Sequence, residues 1–223
     1  RRRGCGLRIR AGAKTWAFLR WFRGDRDYYT HIIPSTINDT TDADYQWQRV
    51  NVGLLWDSEA RLSGELNIGY KTFDHDADTV GVGGVPYEDD EGWIAATSIS
   101  YQVADQTVIS LELANDFKHV GSDTNNYYEN IRFGAQLSHV FLDRLQLAIG
   151  GKYSRADYYQ YSRDDESYTA FVDLDYPIYQ SLTASWGYMY RERTASTKNI
   201  LNQYGDLLEY VVNRYTVKLS AVF

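Results

Sequence analysis

The chain has 223 residues, a net charge of −7, 24% charged residues and a mean hydropathy of −0.50. The acidic balance argues against nucleic acid as a partner. The single cysteine, Cys5, excludes an internal disulfide framework, and the lack of any apolar run of about 18 residues excludes a transmembrane helix.

A membrane-spanning β-strand survives these tests, because it needs only about 9–11 residues and only every second one meets lipid. Aromatics make up 15% of the chain, including 20 Tyr and 6 Trp, against only 3 Pro. Arg1, Arg2, Arg3 and Gly4 make a basic start that no apolar stretch follows, so it is not an intact signal peptide. An exported barrel needs one, and the mature start is expected to lie outside this sequence. Residues 1–13 read as disordered or as a partial strand remnant, and 14–223 as a transmembrane β-barrel.

An irregular strand is expected near 14–24, with Phe18 and Trp21 on opposite faces. A long polar connection, 25–44, leads to a strand near 45–57 and a tight turn at Asp57-Ser58-Glu59. The next strand is clear: Leu62, Gly64, Leu66, Ile68 and Tyr70 alternate with Ser63, Glu65, Asn67, Gly69 and Lys71. A period of two marks a sheet with one apolar face. The acidic connection 74–91 follows. Asp74, Asp76 and Asp78 have calcium-loop spacing, but Thr79 and Val85 stand where Gly and Glu are required. With Glu88, Asp89 and Asp90 this segment reads as a solvated loop, and Gly81-Val82-Gly83-Gly84 lacks the Lys and helix of a phosphate loop. No metal site and no cofactor are expected.

A strand near 91–103 turns at Ala104-Asp105 into Ile109, Leu111 and Leu113, which alternate with Ser110, Glu112 and Ala114. Beyond connection 119–126, a strand near 126–141 turns at Leu142-Asp143. Leu145, Leu147, Ile149, Gly151 and Tyr153 then alternate with Gln146, Ala148, Gly150, Lys152 and Ser154. Connection 157–166 is followed by strands near 167–177 and 181–194, joined by a turn at Pro177. Connection 195–208 precedes the last strand, in which Tyr215, Val217, Leu219, Ala221 and Phe223 share a face. The expected architecture is all-β, an antiparallel up-and-down transmembrane barrel with about ten strands, whole or the C-terminal part of a larger barrel.

Short connections alternate with long ones, as in outer-membrane barrels with short periplasmic turns and long extracellular loops. Rings collect at both strand ends on the apolar face. Trp56, Tyr101, Phe141, Tyr176 and Phe223 sit at the short-turn ends, and Tyr70, Trp93, Phe117, Tyr153, Tyr168 and Tyr190 at the others. Two aromatic girdles around an aliphatic band are what a bilayer imposes. Because lipid leaves no backbone group unpaired, the first and last strands must each find a partner.

The terminal alternation ending on Phe223 resembles the C-terminal assembly signature of bacterial outer-membrane barrels. The resemblance implies barrel-assembly machinery, membrane lipid and lipopolysaccharide as partners. Gly64-Glu65-Leu66-Asn67-Ile68-Gly69-Tyr70-Lys71, the stretch from Tyr158 to Arg163-Asp164-Asp165, and Tyr190-Arg191-Glu192-Arg193 with Ser196 resemble the Putative beta-barrel porin 2 family. Its members are associated with exopolysaccharide loci, which implies polysaccharide as a transported partner in the outer membrane.

The parity that sends aliphatics to lipid sends charges inward. Candidate lumen-lining residues are Arg61, Glu65, Lys71, Glu112, Asp116, Lys118, Arg132, Lys152, Asp173, Asp175, Arg191, Arg193, Arg214 and Lys218. Either they line a water-filled path for a hydrophilic solute such as a glycan, or they pair across a narrow interior and fill it. The enzymatic alternative is a lip hydrolase built on Asp74-His75-Asp76, or on Asp116 with His119. No Gly-x-Ser-x-Gly elbow is present, and catalytic residues are not expected.

Overall fold

The computed structural model describes residues 2–26, 45–56, 61–75, 90–119, 127–158, 163–197 and 209–221. Eleven strands fill them: β1 (Arg2–Arg10), β2 (Thr15–Arg26), β3 (Tyr45–Trp56), β4 (Leu62–His75), β5 (Asp90–Ala104), β6 (Thr107–His119), β7 (Tyr127–Phe141), β8 (Leu145–Tyr158), β9 (Arg163–Tyr179), β10 (Leu182–Thr197) and β11 (Tyr210–Ala221). They form one antiparallel sheet in sequence order, each strand bonded to its chain neighbours. The all-β up-and-down architecture read from the sequence is therefore present. The strand beyond the expected ten is β1, where Leu7 and Ile9 alternate with Arg8 and Arg10.

Most strands exceed the roughly 9–11 residues that cross a bilayer, so their ends project beyond it. This alters the loop pattern at one place. β8 and β9 stay paired up to Tyr158↔Arg163, so the expected connection 157–166 shrinks to 159–162. The turns between β5 and β6 and between β7 and β8 are tight, as expected. In the latter, the Arg144 amide donates to the Phe141 carbonyl at 3.0 Å. Leu142 and Asp143 both take left-handed backbone, with φ of 51° and 59°, the hairpin turn that follows strand twist.

The turn expected at Pro177 falls at residues 180–181 instead. Pro177 lies within β9 opposite Thr183, next to an irregularity at Leu182/Thr183, one of the few strand settings that tolerates a residue without an N–H.

Among the described residues no ladder joins β1 to β11, so the sheet is open. It is nevertheless strongly curled, since residues of every strand from β1 to β11 border a single cavity. Lipid tolerates no bare sheet edge, so in the membrane both edges are covered, by each other or by further strands.

Candidate functional site

Burial identifies the two faces of the sheet. On β4, Leu62, Leu66 and Ile68 are exposed outward, whereas Ser63, Glu65 and Asn67 line the cavity. The same division separates Trp21 from Trp16 on β2, Ile149 from Lys152 on β8, and Trp186 from Arg191 on β10. The outer face is banded. Tyr101, Phe141 and Tyr176 are exposed at the short-turn ends, Trp93 and Tyr168 at the opposite ends, and aliphatics between. Neighbouring strands pair these rings, Tyr70 with Trp93 at 5.2 Å and Tyr153 with Tyr168 at 5.0 Å.

Trp56, at the end of its strand, and Tyr153 border the cavity, and one ring departs from the expected girdles. Phe117 is buried with Tyr45, Phe73 and Ile94 in a cluster on the inner side of β3–β6, its ring 5.9 Å from that of Phe73. The β5–β6 ladder ends at Ala95↔Asn115, which releases the end of β6 from strict alternation. Gly92 leaves room there, since a Cβ on it would stand 3.4 Å from the Phe117 ring.

The cavity holds about 1080 Å³. Of the candidate lumen residues, Glu65, Glu112, Arg132, Lys152, Arg191 and Arg193 line it. Lys71 and Asp116 pair with one another at 3.5 Å, and Lys71 Nζ also donates to the Phe117 carbonyl at 2.6 Å. Asp173, Asp175, Arg214 and Lys218 lie on inner-parity positions nearer the short turns, with Asp175 and Lys218 both opposite Ser185. Arg61 stands just before β4, where its carbonyl accepts from the Gln102 amide at 2.7 Å. The sequence reading missed Arg8, Trp16, Tyr128, Tyr158 and Asp165, all of which line the cavity.

Polar side chains form two networks on this wall. Arg20 Nη1 donates to Glu65 at 3.0 Å, Asn67 donates to the same carboxylate at 3.2 Å, and buried Asn51 donates to Asn67 at 3.1 Å. On the far side Asp165, 5% exposed, accepts from Arg163 at 2.6 Å and from Arg193 at 2.5 Å. The Arg163 guanidinium lies 4.8 Å over the Tyr158 ring, which stacks on Tyr128 at 5.0 Å. The inward pairs Arg20–Glu65, Lys71–Asp116 and Arg193–Asp165 each join strands no more than two apart. They brace the wall along its circumference and do not cross the cavity.

The groups of the hydrolase alternative are only partly described. Asp116 is engaged by Lys71, and the His75 ring lies 5.9 Å from that of Tyr45. The His119 side chain and Asp76 fall outside the described residues. So do the turn Asp57-Ser58-Glu59, most of the calcium-like loop including Asp78, Thr79, Val85, Glu88 and Asp89, the glycine run 81–84, and Phe223. Among the described residues no group of three His, Cys, Asp or Glu is placed to hold a metal ion.

A banded outer face and a polar inner wall are shared by many barrels, and family membership is decided by the sequence as a whole. The family described as Putative beta-barrel porin 2 matches residues 2–206. The chain belongs to this family. No curated protein matches this porin-family chain. Its fold is similar to that of OmpT, an outer membrane protein of Vibrio cholerae, at 12% identity and a TM-score of 0.55, over 99% of this chain and 64% of OmpT. It is also similar to the siderophore receptor PiuA of Acinetobacter baumannii, at 9% identity and a TM-score of 0.53, over 98% of this chain and 44% of PiuA. The porin-family chain thus spans less than two thirds of either neighbour. Family and fold together locate it in the bacterial outer membrane, as a porin-like barrel wall.

Proposed function

We propose that the protein forms the wall of a water-filled passage through which polysaccharide or another hydrophilic solute crosses the outer membrane, without a catalytic role. One observation carries this reading: all eleven strands contribute to a single cavity of about 1080 Å³, and among the described residues the ion pairs on its wall join strands no more than two apart, so none spans it. A barrel of about eight strands is filled by its own side chains, and one of 16–18 encloses an aqueous channel. A wall that already shows eleven strands is past the filled size. In this reading the outer girdles contact lipid and lipopolysaccharide, and the last strand engages the assembly machinery.

Single-channel conductance of the full-length protein in planar bilayers tests the proposal. Stepwise conductance that oligosaccharides transiently block is expected. Persistent absence of conductance, with and without glycan, would leave instead a non-conducting structural or ligand-binding barrel.

A further inference from the structure

We propose that the β7–β10 side of the cavity is an anion track, which selects glycan chains bearing carboxylate or phosphate groups over neutral ones. The inference rests on the passage reading and adds the sign of the solute to it. Counting charges hides the effect. The lining holds five cations, Arg8, Arg132, Lys152, Arg191 and Arg193, and four carboxylates, Glu65, Glu112, Asp165 and Glu166.

Pairing breaks this near balance. Glu65 is held by Arg20, and Asp165 by Arg163 together with Arg193. Glu166 accepts from the hydroxyls of Tyr153 and Tyr168, which belong to the outer aromatic girdle. Glu112 and Glu166 are thus the two lining carboxylates that have no cation partner among the described residues, against four such cations. On the cationic side Arg132 and Lys152 make no ion pair among the described residues. Among the described residues Arg191 reaches only the Thr169 hydroxyl, at 3.3 Å. Arg8 lies 4.5 Å over the Trp16 ring, an attraction that leaves its charge uncancelled. A chain whose net charge is −7 therefore turns uncompensated positive charge toward its interior.

The register sets these cations close together. Gly134, Lys152, Thr169 and Arg191 are consecutive partners across β7, β8, β9 and β10. Adjacent strands stand about 4.8 Å apart, which puts the backbones of Lys152 and Arg191 about 10 Å apart. Arg132 lies two residues, about 7 Å, further along β7. Spacings near the Debye length of about 8 Å at physiological salt let the fields overlap, and a low-dielectric concave wall focuses them. Gly134 adds a notch: it offers no side chain between Glu112 and Lys152, which flank it unbonded. Glu112 is the carboxylate at that notch, its Oε2 and the Lys152 Cγ each 3.7 Å from where a Cβ on Gly134 would stand, and it opposes the cations there.

The test uses the full-length protein in planar bilayers under a potassium chloride gradient. The native protein is expected to prefer chloride. Replacing Arg132, Lys152 and Arg191 together by Gln should abolish that preference, and Glu112→Gln should strengthen it. Block of the current by oligogalacturonate should exceed block by maltooligosaccharide of equal length, and should weaken about tenfold or more in the triple variant. Heat-modifiable migration on gels confirms that the variants fold. Potassium preference in the native protein, or a reversal potential unmoved in the triple variant, overturns the track. If no current flows at all, the passage reading fails by itself. The track is then read by calorimetry of oligogalacturonate on the detergent-solubilised protein: binding lost in the triple variant sustains it, and no binding to the native protein overturns it.

Discussion

The guanidinium of Arg20 on β2 reaches across β3 and meets the Glu65 carboxylate on β4 at 3.0 Å. The crossing depends on Gly53 of β3. That residue lies between Phe18 and Asn67 in the ladder, and without a side chain it lets the Phe18 ring settle onto the sheet. Arg20 then stacks 3.9 Å over Phe18 on its way to Glu65. A missing methyl group thus seats a ring, and the ring seats an ion pair.

Gly53→Ala should therefore destabilise the barrel. The added Cβ would fall 2.5 Å from Phe18 Cζ and 3.0 Å from the Asn67 Cα, and backbone cannot yield as a side chain can. A loss of about 1–3 kcal/mol is expected from such overpacking, read by urea unfolding in lipid vesicles. Gly151→Ala meets only the Thr169 carbonyl at 3.4 Å and should stay within about 0.5 kcal/mol of the native value.

Asp165→Asn should cost more than removal of either arginine. The carboxylate is buried and holds two guanidinium groups, which without it face each other uncompensated. About 2–3 kcal/mol of lost stability is expected, below the full cost of breaking a buried pair because both arginines are partly solvated. A double-mutant cycle with Arg193→Met should return a coupling of at least about 1 kcal/mol. Strict additivity would show that the pair is idle.

The facing of β4 and β5 is checked by a pair of arginines. Ile68 sits mid-strand on the outer face, 49% exposed in the absence of lipid. Ile68→Arg should cost about 2–4 kcal/mol when folding is measured into bilayers. Ser98→Arg, which points into the cavity, should change stability by no more than about 1 kcal/mol. Equal costs would contradict the division into lipid and water faces.

Leu142 holds a left-handed conformation, φ 51°, with its side chain 93% exposed. Leu142→Gly should remove about 1 kcal/mol of backbone strain without loss of contacts. A higher urea midpoint at unchanged slope is the expected result.

Alternation made the faces legible in advance, because bilayer and interior sort side chains with a period of two. That is why Leu62 to Tyr70 and Leu145 to Tyr153 could be assigned from their own letters, and why Glu65, Lys152 and Arg191 were placed on the inner side of their strands. Register is different, since it depends on the neighbouring strand. Nothing within β2 announces that Arg20 will find Glu65 rather than a closer carboxylate. Asp165 was hidden for another reason. Where β8 and β9 rise past the membrane both faces meet water, apolar alternation fades, and a paired hairpin reads as loop. Phe117 obeyed the period on paper, but the end of the β5–β6 ladder and the space at Gly92 turned it inward.

Because, among the described residues, every strand is bonded only to the strands before and after it in the chain, the sheet can be lengthened or shortened by whole hairpins without rethreading. Gaining or losing one such unit changes the girth of the enclosure while each remaining contact keeps its partner. Width is thereby decoupled from fold, so the calibre of such a wall can drift over evolution while the rules that sort its side chains stay fixed.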